Sequence, residues 1–112
     1  MAFQLAIDDT VHVPVKLSIN SAGIAKTFDF TLICTRLPAD ELKSRAENKN
    51  LTMRDIVKEV TRGWTGQSLV LDEQGKPAEF SQAALAAMLG VSGVGHVLYV
   101  AYGRECAAKE KN

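Results

Sequence analysis

The sequence predicts an α+β fold in a single domain. An N-terminal antiparallel β-hairpin or three-stranded meander occupies residues 1–36, and three to four short helices fill residues 37–109. Two observations carry this. Apolar residues recur with period two in the first third of the chain and at three- to four-residue spacing afterwards. The length, 112 residues, suits one domain with a modest core.

In "VHVPVKLSI" the residues Val11, Val13, Val15, Leu17 and Ile19 share one face. In "IAKTFDFTLICT" Ile24, Phe28, Phe30, Leu32 and Cys34 do the same, with Lys26 as the exception. "NSAG" lies between the two runs as a glycine-bearing turn. Pairing Ile19 with Ile24 leaves a four-residue loop and sets Val15 opposite Phe28, Val13 opposite Phe30 and Val11 opposite Leu32. A one-residue slip would turn one apolar set to the wrong face. Pro14 cannot donate to a ladder, so its strand belongs at an edge or at a bulge. Phe3 to Ile7 is a candidate third strand.

Pro38 can open a helix continued by "ADELKSRAEN". Thr52 and Asp55 form a shortened capping box before a second helix. Met53, Ile56, Val57, Val60 and Trp64 follow at helical spacing, and Gly63 is the expected stop. "SLVL" reads as a short extended piece and "DEQG" as a turn. Ser81 can cap a helix of "QAALAAML" that ends at Gly90. The last segment, from about Ser92 to Lys109, reads as helix, although "HVLYVAY" is also strand-compatible. Met53 and Met88 are expected in the core, and Tyr99 and Tyr102 at its rim.

Composition narrows the functional classes. Formal net charge is zero, so nothing global draws the chain to nucleic acid or anionic membrane. No run approaches 18 apolar residues, and "MAFQLAIDDT" lacks the basic and apolar blocks of a signal peptide, so neither a membrane span nor a signal peptide is expected. The cysteines Cys34 and Cys106 and the histidines His12 and His96 do not fall at zinc-site spacing, and free thiols in a reducing compartment fit. No metal or other cofactor is expected.

Catalytic motifs fail in turn. "GVSGV" around Ser92 ends in Val94 where a nucleophile elbow needs glycine, and no strand precedes it. A dinucleotide loop starting at Gly93 fails at Leu98. Asp72 and Glu73 are adjacent carboxylates on a turn, which seldom converge on one bond. No enzyme is expected. Within residues 81–103, the segment of the alternative function, Ser81-Gln82, Leu85-Ala86 and Leu89-Gly90-Val91-Ser92 resemble the first helix and turn of a helix-turn-helix DNA reader. Where a recognition helix needs base-reading side chains, the chain has Gly93, Val94, Gly95 and His96. "GVSG" also fits the GxxG of KH-type RNA binders, but no Lys or Arg lies between Lys76 and Arg104 to hold phosphates. Nucleic acid is therefore not the expected partner, and Gly90 and Gly93 read as a tight helix–helix corner.

Trp64, Phe80, Leu85, Met88 and Leu89, with Val60 as floor, remain as a candidate apolar groove for another protein chain. Trp64 needs a partner for its indole N–H, and the loop after it can supply one. Phe80, just before the Ser81 cap, can staple onto Ala84 or Leu85.

At these residues the sequence resembles the tail assembly chaperones of long-tailed bacteriophages and prophages. The similarity spans roughly Ile24 to Asn112. Its most specific part is Trp64 followed by Asp72-Glu73-x-Gly75-x-Pro77-x-x-Phe80-Ser81. The resemblance implies a non-enzymatic protein of the bacterial host cytoplasm, absent from the mature virion. Such a protein binds the tape-measure protein, a very long helical chain, and helps recruit tail-tube subunits. Self-association through the hairpin edge is a further expectation.

Overall fold

The computed structural model describes residues 2–111. Strands β1 (Thr10–Ser21) and β2 (Ile24–Thr35) form a long antiparallel hairpin. Val11, Val13, Val15 and Leu17 are buried on one face, as the alternation requires. The register differs from the expected one by two residues. Ser21 pairs with Ile24, so Val15 lies opposite Phe30, Val13 opposite Leu32 and Val11 opposite Cys34. A shift of two keeps every side chain on its face. The cause is the turn: Ala22 (φ 54°) and Gly23 (φ 85°) are both left-handed, which closes the hairpin with two residues and matches strand twist. The Asn20 carboxamide oxygen accepts the Gly23 N–H at 2.9 Å and fixes that turn.

The third strand is not the expected one. Phe3–Ile7 lies in no element. Instead β3 (Thr61–Thr65) pairs antiparallel with Thr31–Cys34, giving the order β1-β2-β3. Two helices precede it, α1 (Ala39–Glu47) and α2 (Met53–Val60). The Thr52–Asp55 capping box forms reciprocally and starts α2. The helical stripe therefore stops at Val60, not Gly63, and Trp64 stands on a strand opposite Leu32. The base of β2 has backbone groups that a strand satisfies and a helix cannot. Thr61 makes the switch: its hydroxyl donates to the Val57 carbonyl at 2.7 Å while its backbone enters the sheet, next to a register shift between Ile33 and Cys34.

Helices α3 (Gln82–Leu89) and α4 (Val94–Cys106) complete the fold. Ser81 caps α3 by accepting the Ala84 N–H at 3.0 Å. The ambiguous "HVLYVAY" is helical, and its i, i+4 residues Val94, Leu98 and Tyr102 are buried together. Helix α4 packs on β1 and α2, so the helices cover one face of the sheet. The Tyr102 hydroxyl locks α4 to the end of β2, donating to the Thr35 carbonyl at 2.7 Å and accepting the Leu37 N–H at 3.0 Å. Burial pushes this phenol well above its ordinary pKa. Met88 is core, but Met53 is exposed on the first turn of α2. Among the described residues no single helix is long and apolar enough to cross a membrane.

Both cysteines are free thiols, with Cys34 buried and Cys106 half-buried. Burial raises the Cys34 pKa from 9.0 to about 11. The folded chain thus retains a proton that the unfolded chain releases, so this group costs no stability below pH 9. Between pH 9 and 11 its contribution falls as pH rises. Thiol titration at pH 8 is expected to show Cys106 reacting fast and Cys34 reacting only at the rate of unfolding. Removing the thiol by Cys34→Ala should flatten the stability decline between pH 9 and 11.

Candidate functional site

The segment from Trp64 to Ser81 has little regular structure but is pinned throughout. Gly66 takes a left-handed φ of 75° and turns the chain out of β3. Gln67, next in line, is buried at 3% exposure. Its carboxamide N–H₂ donates to the Val70 and Ala78 carbonyls, each at 3.0 Å, and its oxygen accepts the Val70 N–H at 2.8 Å. Val70 and Ala78 then pair directly, with the Ala78 N–H reaching the Val70 carbonyl at 2.9 Å. Beyond them Leu71 bridges Pro77, and the Asp72 N–H donates to the Lys76 carbonyl at 2.7 Å.

This miniature ladder explains the spacing of Asp72, Gly75 and Pro77. The Asp72 carboxylate accepts the N–H groups of Gln74 and Lys76 at 2.9 and 3.0 Å, an Asx-type turn. Gly75 supplies the left-handed φ of 78° that the turn requires. Glu73 is exposed. Asp72 is thereby committed to its own backbone, which fits the turn reading of the carboxylate pair.

Trp64 closes the unit. Its indole N–H donates to the Ala78 carbonyl at 3.2 Å, so the loop supplies the partner the ring requires. Phe80 meets it edge-to-face, with ring centroids 5.2 Å apart and planes at 86°. Both rings are half-buried. With Gln67, Pro77, Ala78 and Glu79 they line an open depression of about 420 Å³. Such a surface can seat an apolar side chain. Ser68 lines it too, and among the described residues no hydrogen bond joins Ser68 to Glu79.

No protein-family model, curated protein or solved structure matches this chain.

The expected groove is only partly at the surface. Val60, Leu85, Met88 and Leu89 are each at most 2% exposed and belong to the core shared with β1, β2 and α4. Apolar spacing on a helix marks the buried stripe, and here that stripe, on α3, packs into the core against α2 and α4. Trp64 and Phe80 alone of the six reach the solvent-facing depression. Gln67 was missed, because a glutamine between Gly66 and Ser68 reads as solvated loop and no spacing signals its role. A larger groove, about 520 Å³, runs between β1 and α4, with Lys16, His96 and Arg104 around Val97 and Val100. Among the described residues no group of three His, Cys, Asp or Glu side chains could hold a metal ion.

The corner between α3 and α4 bends by 111°. Gly93 carries a left-handed φ of 86°, which permits the sharp turn. Close packing falls on a different glycine from those expected. A Cβ at Gly95 would stand 2.6 Å from Cγ of Arg54, so α2 crosses directly over the first turn of α4.

Proposed function

We propose that this chain is a phage or prophage tail assembly chaperone: a non-enzymatic protein that binds the tape-measure protein and helps recruit tail-tube subunits. It would act in the cytoplasm of the bacterial host and leave before the virion is complete. One observation carries the reading. The residues that give the sequence its resemblance, from Trp64 to Ser81, fold into one hydrogen-bonded unit that presents two aromatic rings at the surface. A long helical partner awaiting assembly needs its apolar side chains shielded, and a rigid aromatic depression offers that at low ordering cost. The experiment is co-expression with a tagged tape-measure fragment. Retention of this chain, and its loss with a Trp64 variant that stays folded, is the expected outcome. A folded wild-type chain that is never retained would refute the proposal.

A second reading, a helix-turn-helix regulator over residues 81–103, draws support from the 111° corner. Against it stands the first turn of α4, where Val94 and Gly95 are buried and Arg54 covers the backbone. Base-reading side chains belong at that turn. We expect no electrophoretic shift of duplex DNA even at low salt, where phosphate contacts are strongest. A shift that weakens steeply with added salt would favour the regulator instead.

A further inference from the structure

We propose that residues 5–9 of one copy of this chain add as an antiparallel strand to the open edge of β2, Lys26 to Phe30, in a second copy. Strand β3 covers β2 only from Thr31 to Cys34. The hairpin continues seven residues beyond, from Phe30 to Ile24, before its turn at Ala22–Gly23. In a two-residue hairpin the pair flanking the turn exchanges hydrogen bonds, so Ile24, Lys26, Phe28 and Phe30 bond toward β1. Ala25, Thr27 and Asp29 consequently aim their backbone N–H and C=O groups outward, where no strand among the described residues meets them. On the opposite edge Pro14, at an outward-facing position of β1, has no N–H to give.

The matching half is the N-terminal segment. Phe3, Leu5 and Ile7 alternate like a strand, yet they are 89%, 76% and 57% exposed and bridge to nothing. On the distal hairpin Ile24 is 65% exposed, and Phe28 is half-covered on the same face. One register joins the central part of each side. Leu5 falls opposite Phe30, Ile7 opposite Phe28 and Asp9 opposite Lys26, so the charge that breaks each apolar face meets its opposite. The same register places Ala6 and Asp8 in hydrogen-bonding positions against Asp29 and Thr27. Asp9 lands in a non-bonding position, so its carbonyl keeps the Arg36 N–H it already accepts.

The occupant must be a second copy. Asp9 adjoins Thr10, which pairs with Thr35 at the base of the hairpin. Lys26 lies nine residues further along β2, about 30 Å at the rise of a strand. Within one chain Asp9 cannot leave Thr10 to reach it, and residues 3–9 fully extended span only about 20 Å.

The test is sedimentation velocity on the full chain over a concentration series. Wild type is expected to rise above the 12.1 kDa monomer. Thr27→Pro should hold it at monomer mass by removing an outward N–H, the device already present at Pro14. Leu5→Ser with Ile7→Ser should do the same, and since both residues lie outside every element, folding is unaffected. At low salt Asp9→Lys should weaken association and the added Lys26→Asp should restore it. A wild type that stays monomeric throughout overturns the proposal. So does association that survives either the Thr27 or the Leu5/Ile7 variant.

Discussion

Replacing Trp64 with alanine is expected to cost about 3 kcal/mol and to abolish partner capture. The ring is half-buried, so the loss lies at the lower end for aromatic truncations. For a chain of this length that lowers the thermal midpoint by roughly 10–15 °C. Three contributions add: the apolar area against Leu32's face of the sheet, the edge-to-face contact with Phe80, and the N–H bond to Ala78. The last is the smallest, because Gln67 still donates to the same carbonyl. Calorimetry and retention by a tape-measure fragment read the two effects separately. Below the new midpoint the variant is folded, so absent retention there reports the surface and not the fold. Unchanged stability and retention together would remove the depression from consideration.

Leu85→Ala is expected to cost as much or more, about 3–4 kcal/mol, and to leave capture by the folded protein intact. Leu85 is 0% exposed in the shared core, on a helix that packs against α2 and α4, and its removal leaves a cavity there. Domains of this size have only about 5–15 kcal/mol in total, so the variant is marginal at high temperature. Chemical denaturation should show a lowered midpoint with unchanged slope. Capture assayed at low temperature should match wild type. Loss of capture by well-folded Leu85→Ala would mean that the core opens to admit the partner, and the site would extend to Met88 and Leu89.

Much of the architecture was legible from spacing alone. The buried face of the hairpin follows from Val11, Val13, Val15 and Leu17, because strand side chains alternate whatever the register. The capping box at Thr52 and the cap at Ser81 are local chemistry, readable within four residues. The hairpin register was not legible, since a shift of two keeps the same faces and only the left-handed φ of Ala22, a residue that seldom adopts it, distinguishes the two loops. Trp64 misled for a related reason. Four residues after Val60 it continues a helical stripe, and the strand that claims it is chosen by β2, some thirty residues away in sequence. In the site, the turn at Asp72–Lys76 was visible; the buried role of Gln67 depends on carbonyls at Val70 and Ala78 that nothing in the sequence aligns.

By itself, then, the sequence determined which residues are apolar on which periodic face, where α2 and α3 begin, and where the chain must turn. These are short-range properties of dihedral preference and side-chain reach. Only the tertiary structure decided that Val60, Leu85, Met88 and Leu89 are core while Trp64 and Phe80 meet solvent, and that Thr61–Thr65 is strand. Those outcomes depend on which distant backbone groups and apolar faces remain to be satisfied once the hairpin has formed, and that competition exists only in three dimensions.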